Sequence, residues 1–221
     1  MKLYKYLPRK YLDLFLKEGA FLFRSLSYFR DYEDNQVRGD KYEGVLKHSK
    51  EEGLEINNLS SGITSKSKVS FESAVDAENI FIFCTSLKLC PELAAEFKSD
   101  ICVEIMRPEK IASGLHSAIA RRKKVNPNRL FHGEVKYYKE DEAPGITWAF
   151  PDRISMRKLC YFQGQEEYRY MFSLNGALGF NETEQKLRVR DLEQNERNSP
   201  YSEHKLKIGN ISKWCTVHEF T

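Results

Sequence analysis

At 221 residues the chain is long enough for one large domain or a domain with an extension. Its apolar share of 41% and charged share of 30% fit a globular protein, and a net charge of +3 is too small to mark a dedicated nucleic-acid binder while permitting an anionic ligand. No apolar run reaches the roughly 18 residues of a membrane helix, the N-terminus lacks a signal peptide's apolar stretch, and the five scattered cysteines form neither C-x-x-C nor zinc spacing, so the expectation is a cytoplasmic protein with no metal and no membrane partner.

In chain order, Leu3-Tyr4-Lys5-Tyr6 predicts a first strand. Pro8 suits a helix start, Tyr11, Leu14 and Phe15 recur at helical spacing, and Gly19 supplies the stop. Residues 20–27 predict a second strand ending in Arg24-Ser25-Leu26-Ser27. Residues 28–44 read as a charged, irregular loop in which Asp40 and Glu43 are solvated, and residues 47–70, rich in Ser, Asn, Gly and Lys, read as a loop or irregular insertion. The apolar run at 79–86, ending Cys84-Thr85-Ser86, predicts a central buried strand.

A short helix follows at 91–97 behind Pro91, then a strand at 101–106, then a helix at 108–122 carrying Ile111, Leu115 and Ile119 on one face and ending in Arg121-Arg122-Lys123-Lys124. Asn126-Pro127-Asn128 predicts a turn, residues 133–138 a strand, and residues 151–160 a helix. His116 and His132 read as ordinary helix and turn residues. Beyond Asn175-Gly176 the pattern weakens: residues 182–207 are charged, and 208–217 predict a last strand. The sum is an α+β fold without internal repeats. Neither G-x-G-x-x-G, the Walker pattern, nor G-x-S-x-G occurs, so dinucleotide-fold, P-loop and hydrolase-elbow readings have no support.

The segment Gly164-Gln165-Glu166-Glu167-Tyr168-Arg169-Tyr170-Met171 carries the functional signal. With a strand's period of two, Gln165, Glu167, Arg169 and Met171 share one face, and Tyr168, Tyr170 and Phe172 the other. An amide, a carboxylate and a guanidinium on one face suit the floor of a polar cleft better than a core. The plain alternative is a solvent-facing edge strand on which Arg169 pairs with Glu167. Lys5 and the neighbouring tyrosines either decorate an edge strand or offer a cation to phosphate and a ring to a flat ligand. Arg24, Ser25 and Ser27, and likewise Thr85 and Ser86, either cap turns or supply donors to pyrophosphate and ribose. The basic run 121–124 reads as a solvated helix end, with nucleic-acid binding as the alternative.

In order, L-Y-K-Y, a serine-ended strand, an acidic loop closing on E-G, a strand ending C-T-S and a late Q-E-E-Y-R are together similar to a large bacterial family of uncharacterised proteins, often found among phage-defence genes, with L-Y-K-Y and E-x-E-Y-R at its two ends. That family resembles ADP-ribosyltransferases, over about residues 3–173 of this chain. The resemblance implies a split β-sheet core in a single domain spanning 1–221, with a C-terminal extension over about 174–221. It further implies NAD⁺ as substrate, Glu167 and Gln165 as catalytic residues, and Lys5 or Tyr6, Arg24, Ser25 or Ser27, Thr85 and Ser86 around the dinucleotide. Gln165 stands where glutamate is common in the family, a Q-x-E form associated with acceptors other than arginine. The implied protein is an antiphage toxin that modifies RNA, DNA or a protein and is paired with an antitoxin. The competing classes are a non-catalytic nucleotide sensor and a nucleic-acid-binding module.

Overall fold

The computed structural model describes residues 1–30, 39–122, 125, 130–180, 182–189 and 201–220. The predicted turn at 126–128, together with Lys123 and Lys124, lies outside them. The chain opens with β1 (Leu3–Leu7), a 3-10 turn and α1 (Leu12–Glu18). Gly19 ends this helix in the left-handed region at φ 55°, where a Cβ would collide with the Gly209 carbonyl oxygen at 2.2 Å, so the predicted stop is also a close approach. β2 (Ala20–Ser25) follows, two residues shorter than expected, because Leu26 turns inward to begin α2 (Leu26–Arg30). Ser27 therefore sits in the first turn of a helix rather than on a strand.

The expected loop at 47–70 is largely strand: the stretch holds β3 (Val45–His48), β4 (Leu54–Asn58), β5 (Ile63–Ser67) and β6 (Val69–Val75), joined by turns. β4 and β5 form a hairpin that is mostly exposed, so burial imposed no apolar alternation on its sequence. β7 (Ile80–Ser86), α3 (Pro91–Glu96), β8 (Ile101–Ile105) and α4 (Pro108–Ala120) fall close to expectation. The predicted strand at 133–138 is two strands, β9 (Phe131–Glu134) and β10 (Lys136–Tyr138), which join different sheets on either side of Val135. His132 thus lies on a strand rather than in a turn.

The predicted helix at 151–160 is a single turn, α5 (Pro151–Ile154), followed by β11 (Arg157–Leu159) and a 3-10 segment at Cys160–Gln165. β12 (Glu167–Ser173) carries the late motif. Order continues beyond it through β13 (Thr183–Val189), β14 (Glu203–Lys207) and β15 (Cys215–Glu219), the last lying further along than the expected strand at 208–217.

The fold is α+β with mostly antiparallel sheets. The main sheet runs β14-β2-β7-β1-β8-β15, with β12 on the opposite edge of β7 and β9 beyond it. One face packs Phe21, Phe23, Phe81, Phe83, Tyr170 and Phe172 against Phe15 of α1 and the Ile111, Leu115, Ile119 stripe of α4. The other packs Ile80, Ile82 and Met171 against Leu26, Leu46, Val75, Trp148 and Ile154. The C-terminal segment supplies both outer strands of the path, β14 against β2 and β15 against β8. No helix among the described residues is long and apolar enough to cross a membrane.

One departure from regular pairing creates the site. β12 follows β7 along its whole length, from Glu167 opposite Ser86 to Ser173 opposite Ile80. On the other edge β7 is shared. β2 pairs only with its beginning, Arg24 opposite Ile82 and Ser25 opposite Phe81, and β1 only with its end, Tyr4 opposite Ser86. Between them Phe83, Cys84 and Thr85 have no strand partner on that edge among the described residues, and the sheet parts around a cavity of about 520 Å³.

Candidate functional site

The cavity is lined by Lys5 and Tyr6 of β1, Arg24 of β2, Cys84, Thr85 and Ser86 of β7, and Lys158, Gln165, Glu167 and Arg169 from the other side. Of the residues expected at the site, Lys5, Tyr6, Arg24, Thr85, Ser86, Gln165 and Glu167 meet here. Ser25 and Ser27 do not line it; both are buried and their hydroxyls bond each other at 2.9 Å.

The strand-period reading of the motif holds from Glu167 onward: Met171 packs in one core, while Tyr168, Tyr170 and Phe172 pack in the other. Gln165 departs from it. This residue ends the 3-10 segment, and Glu166 after it takes a left-handed φ of 42°. That kink is a strained conformation for a non-glycine residue. It is pinned from β7, where Ser86 Oγ donates to the Gln165 carbonyl at 2.8 Å and Leu87 N to the Glu166 carbonyl at 2.8 Å. Gln165 and Glu167 therefore reach the same cavity from a turn and a strand.

Arg169 is fully buried and every arm of its guanidinium is engaged. Nε donates to Glu167 Oε1 at 2.5 Å, Nη1 to Glu43 Oε1 and the Ser155 carbonyl at 2.6 Å, and Nη2 to Glu43 Oε2 at 2.8 Å. Lys158 completes the cluster, donating to Glu167 Oε2 at 3.1 Å and Gln165 Oε1 at 3.3 Å, with Glu43 Oε2 at 3.9 Å. Two buried carboxylates thus face two buried cations, the arrangement in which buried charge is tolerated. Burial alone would raise the Glu167 pKa, but Arg169 and Lys158 outweigh it and hold the carboxylate far below its usual range. Burial likewise works against the charged forms of Lys158 and Arg169, and the same carboxylates reverse it, raising both.

Glu43 and Asp40 correct the sequence reading. Neither is solvated: Asp40 is 3% and Glu43 1% exposed. Asp40 Oδ1 accepts from Tyr42 N at 2.9 Å and its carbonyl from Glu43 N at 2.8 Å. This tight turn, followed by Gly44 at φ 70°, aims Glu43 inward. Burial first, then the nearby Glu43 charge, pushes the Asp40 carboxyl up to about 6.

The remaining wall is arranged differently. Lys5 Nζ donates to the Cys84 carbonyl at 2.8 Å, at the unpaired edge of β7, and lies 4.3 Å from the Phe83 ring centre. The Tyr6 hydroxyl is committed elsewhere: it donates to the Lys88 carbonyl at 2.8 Å and accepts from Cys90 N at 2.8 Å, tying down the loop before α3. Thr85 Oγ1 donates to the Tyr168 carbonyl at 3.1 Å, so the Thr85 hydroxyl braces β12 and the Ser86 hydroxyl the turn before it. Arg24 lies 4.2 Å from the Tyr28 ring centre and pairs with Glu203 at 3.1 Å, half-exposed at the cavity rim. Arg121 and Arg122 are exposed, and Arg122 Nη2 donates to the Lys205 carbonyl at 2.6 Å. Among the described residues no group of His, Cys, Asp and Glu is placed to hold a metal ion.

Lys158 and Glu43 are the site residues that sequence reasoning missed. Lys158 fell within a stretch read as helix. The usable signal was Arg169 itself: a guanidinium in the middle of an apolar strand demands more than one carboxylate lone pair, which calls for an acid beyond Glu167. No protein-family model, curated protein or solved structure matches this chain.

Proposed function

We propose that the protein is an NAD⁺-dependent mono-ADP-ribosyltransferase, with Glu167 as the catalytic carboxylate. The observation that carries this reading is the meeting of Glu167, held anionic, with Gln165, Lys5 and Arg24 in one cavity where β1 and β2 part along β7. In the reaction the bond from ribose C1′ to the nicotinamide nitrogen breaks, and its electron pair stays with nicotinamide, which leaves neutral. Positive charge develops on the ribose ring, and a fixed carboxylate is worth most where charge develops away from water. An acceptor lone pair forms the new bond to C1′, and the acceptor proton passes to solvent. Glu167, held far below neutrality, serves as an anion rather than as a base. Arg24 and Lys5 are suited to the pyrophosphate, and Gln165 to orienting the acceptor.

The Q-x-E form favours an acceptor other than arginine, with RNA as one candidate, and the family resemblance supports reading the protein as a cytoplasmic antiphage toxin with an antitoxin partner. The test is release of nicotinamide from NAD⁺ by the purified chain, with and without cell lysate, and its loss in Glu167→Gln. Full activity in that variant would remove Glu167 from the mechanism, and no release by the wild type under any condition would remove the activity.

A second reading has one observation in its favour: Arg169 and Lys158 already occupy both Glu167 oxygens. A non-catalytic nucleotide-sensing module would use the same cavity and would bind NAD⁺ in calorimetry without turnover.

A further inference from the structure

Lys158 stands on β11, which pairs with β10 and not with the main sheet, so it reaches Gln165 and Glu167 from a separate element. Its side chain is 5% exposed, and the Phe162 ring centre lies 4.5 Å from Nζ. An ammonium has donors and no acceptor. Its contact with Gln165 at 3.3 Å therefore fixes which end of the amide faces it, the oxygen. The amide is planar, so its NH₂ turns away from the Lys158 ammonium. The Gln165 backbone is pinned by Ser86, and the left-handed Glu166 separates it from the strand. Without Lys158, the bond from Ser86 would still hold the Gln165 backbone, but this ammonium would no longer fix the amide's flip state.

We infer that Lys158 is a positioning residue that sets the amide orientation of Gln165, a role that rests on the transferase reading above. Through Gln165 it directs C1′ to the acceptor rather than to water. Both outcomes balance: acceptor attack yields ADP-ribosylated acceptor, nicotinamide and a proton, and water attack yields ADP-ribose, nicotinamide and a proton. Lys158 therefore governs the ratio of transfer to hydrolysis.

Removing Lys158 alone leaves Glu43 and Glu167 against a single guanidinium, a buried imbalance that threatens folding. The test therefore uses Lys158→Met combined with Glu43→Gln, which restores the balance of charge, beside Lys158→Arg, which keeps charge and donors. Two readouts are taken. The Gln165 side-chain amide resonances are assigned by their loss in Gln165→Glu. Labelled NAD⁺ with cell lysate gives macromolecule-bound label against free ADP-ribose. In the double variant the amide resonances shift from their wild-type positions and the transfer-to-hydrolysis ratio falls at least tenfold, whereas Lys158→Arg keeps the ratio within threefold of wild type. Unchanged resonances, or an unchanged ratio, in the folded double variant overturns the role of Lys158 alone. A wild type that releases no nicotinamide overturns the transferase reading instead, and the resonance shift then decides whether Lys158 orients Gln165.

Discussion

Two arginines face one cavity in opposite circumstances. Arg169 is buried to the last atom and divides its bonds among Glu167, Glu43 and a backbone carbonyl, while Arg24 sits at the rim with one exposed carboxylate and one aromatic ring beside it. The same guanidinium chemistry is structural in the first place and exchangeable in the second. A buried pair forces its geometry because any broken bond leaves a charge without water. A rim pair exchanges one anion for another at little cost. The cavity thus has a rigid wall that fixes Glu167 and a yielding wall that, on the proposed reading, receives the phosphates of NAD⁺.

Four substitutions test that contrast. Arg169→Met should cost the most stability, about 3–5 kcal/mol, because it leaves two buried carboxylates to share the Lys158 ammonium; a urea melt with a loss below about 1 kcal/mol would show the cluster to be solvent-like. Glu167→Gln should lower nicotinamide release about 10²–10³-fold, the scale for removing one group that stabilises developing charge. NAD⁺ binding measured by calorimetry on the folded variant should change far less.

Asp40→Asn should stabilise the protein in a pH-dependent way. The folded Asp40 pKa of about 6 lies above its ordinary 3.8, so wild type holds the benefit of the protonated form below about pH 4 and loses it as pH rises through 6. Asparagine removes that loss. The variant should therefore match wild type near pH 4 and exceed it above pH 6 by up to about 3 kcal/mol, following 1.36 kcal/mol per pKa unit. Melting curves across this range check the sign. Glu203→Gln is the mildest change: stability should move by less than about 1 kcal/mol, and NAD⁺ should bind more tightly, by about fivefold at most, because Arg24 no longer holds a competing carboxylate.

The sequence made the central strands legible because their burial is written as dense apolar runs, as at Ile80-Phe81-Ile82-Phe83 and Ile101-Cys102-Val103. Gly19 and Pro91 marked helix ends for the same reason, a backbone demand that only certain residues meet. Three kinds of feature escaped. β4, β5 and β13 are largely exposed strands, so no alternation betrays them. α5 and β11 are too short for a helical period to exclude a strand. The Glu43–Arg169 pair joins positions 126 residues apart, and Glu43 carries no local mark of being buried. The gathering of Lys5, Arg24, Gln165 and Glu167 was readable as an order of motifs, whereas Lys158 required the fold.

The outer strands carry a consequence for how the protein comes into being. β14 registers Glu203 opposite Arg24, and β15 registers Cys215 opposite Ile105, so β2 and β8 are each covered by a segment that is made after them in synthesis. Until those segments emerge from the ribosome, β2 and β8 present open hydrogen-bonding edges, and the rim that Glu203 and Lys205 contribute to the cavity does not exist. A nascent chain is therefore a sticky, incomplete object, vulnerable to wrong pairing and open to capture by any folding helper that recognises strand edges.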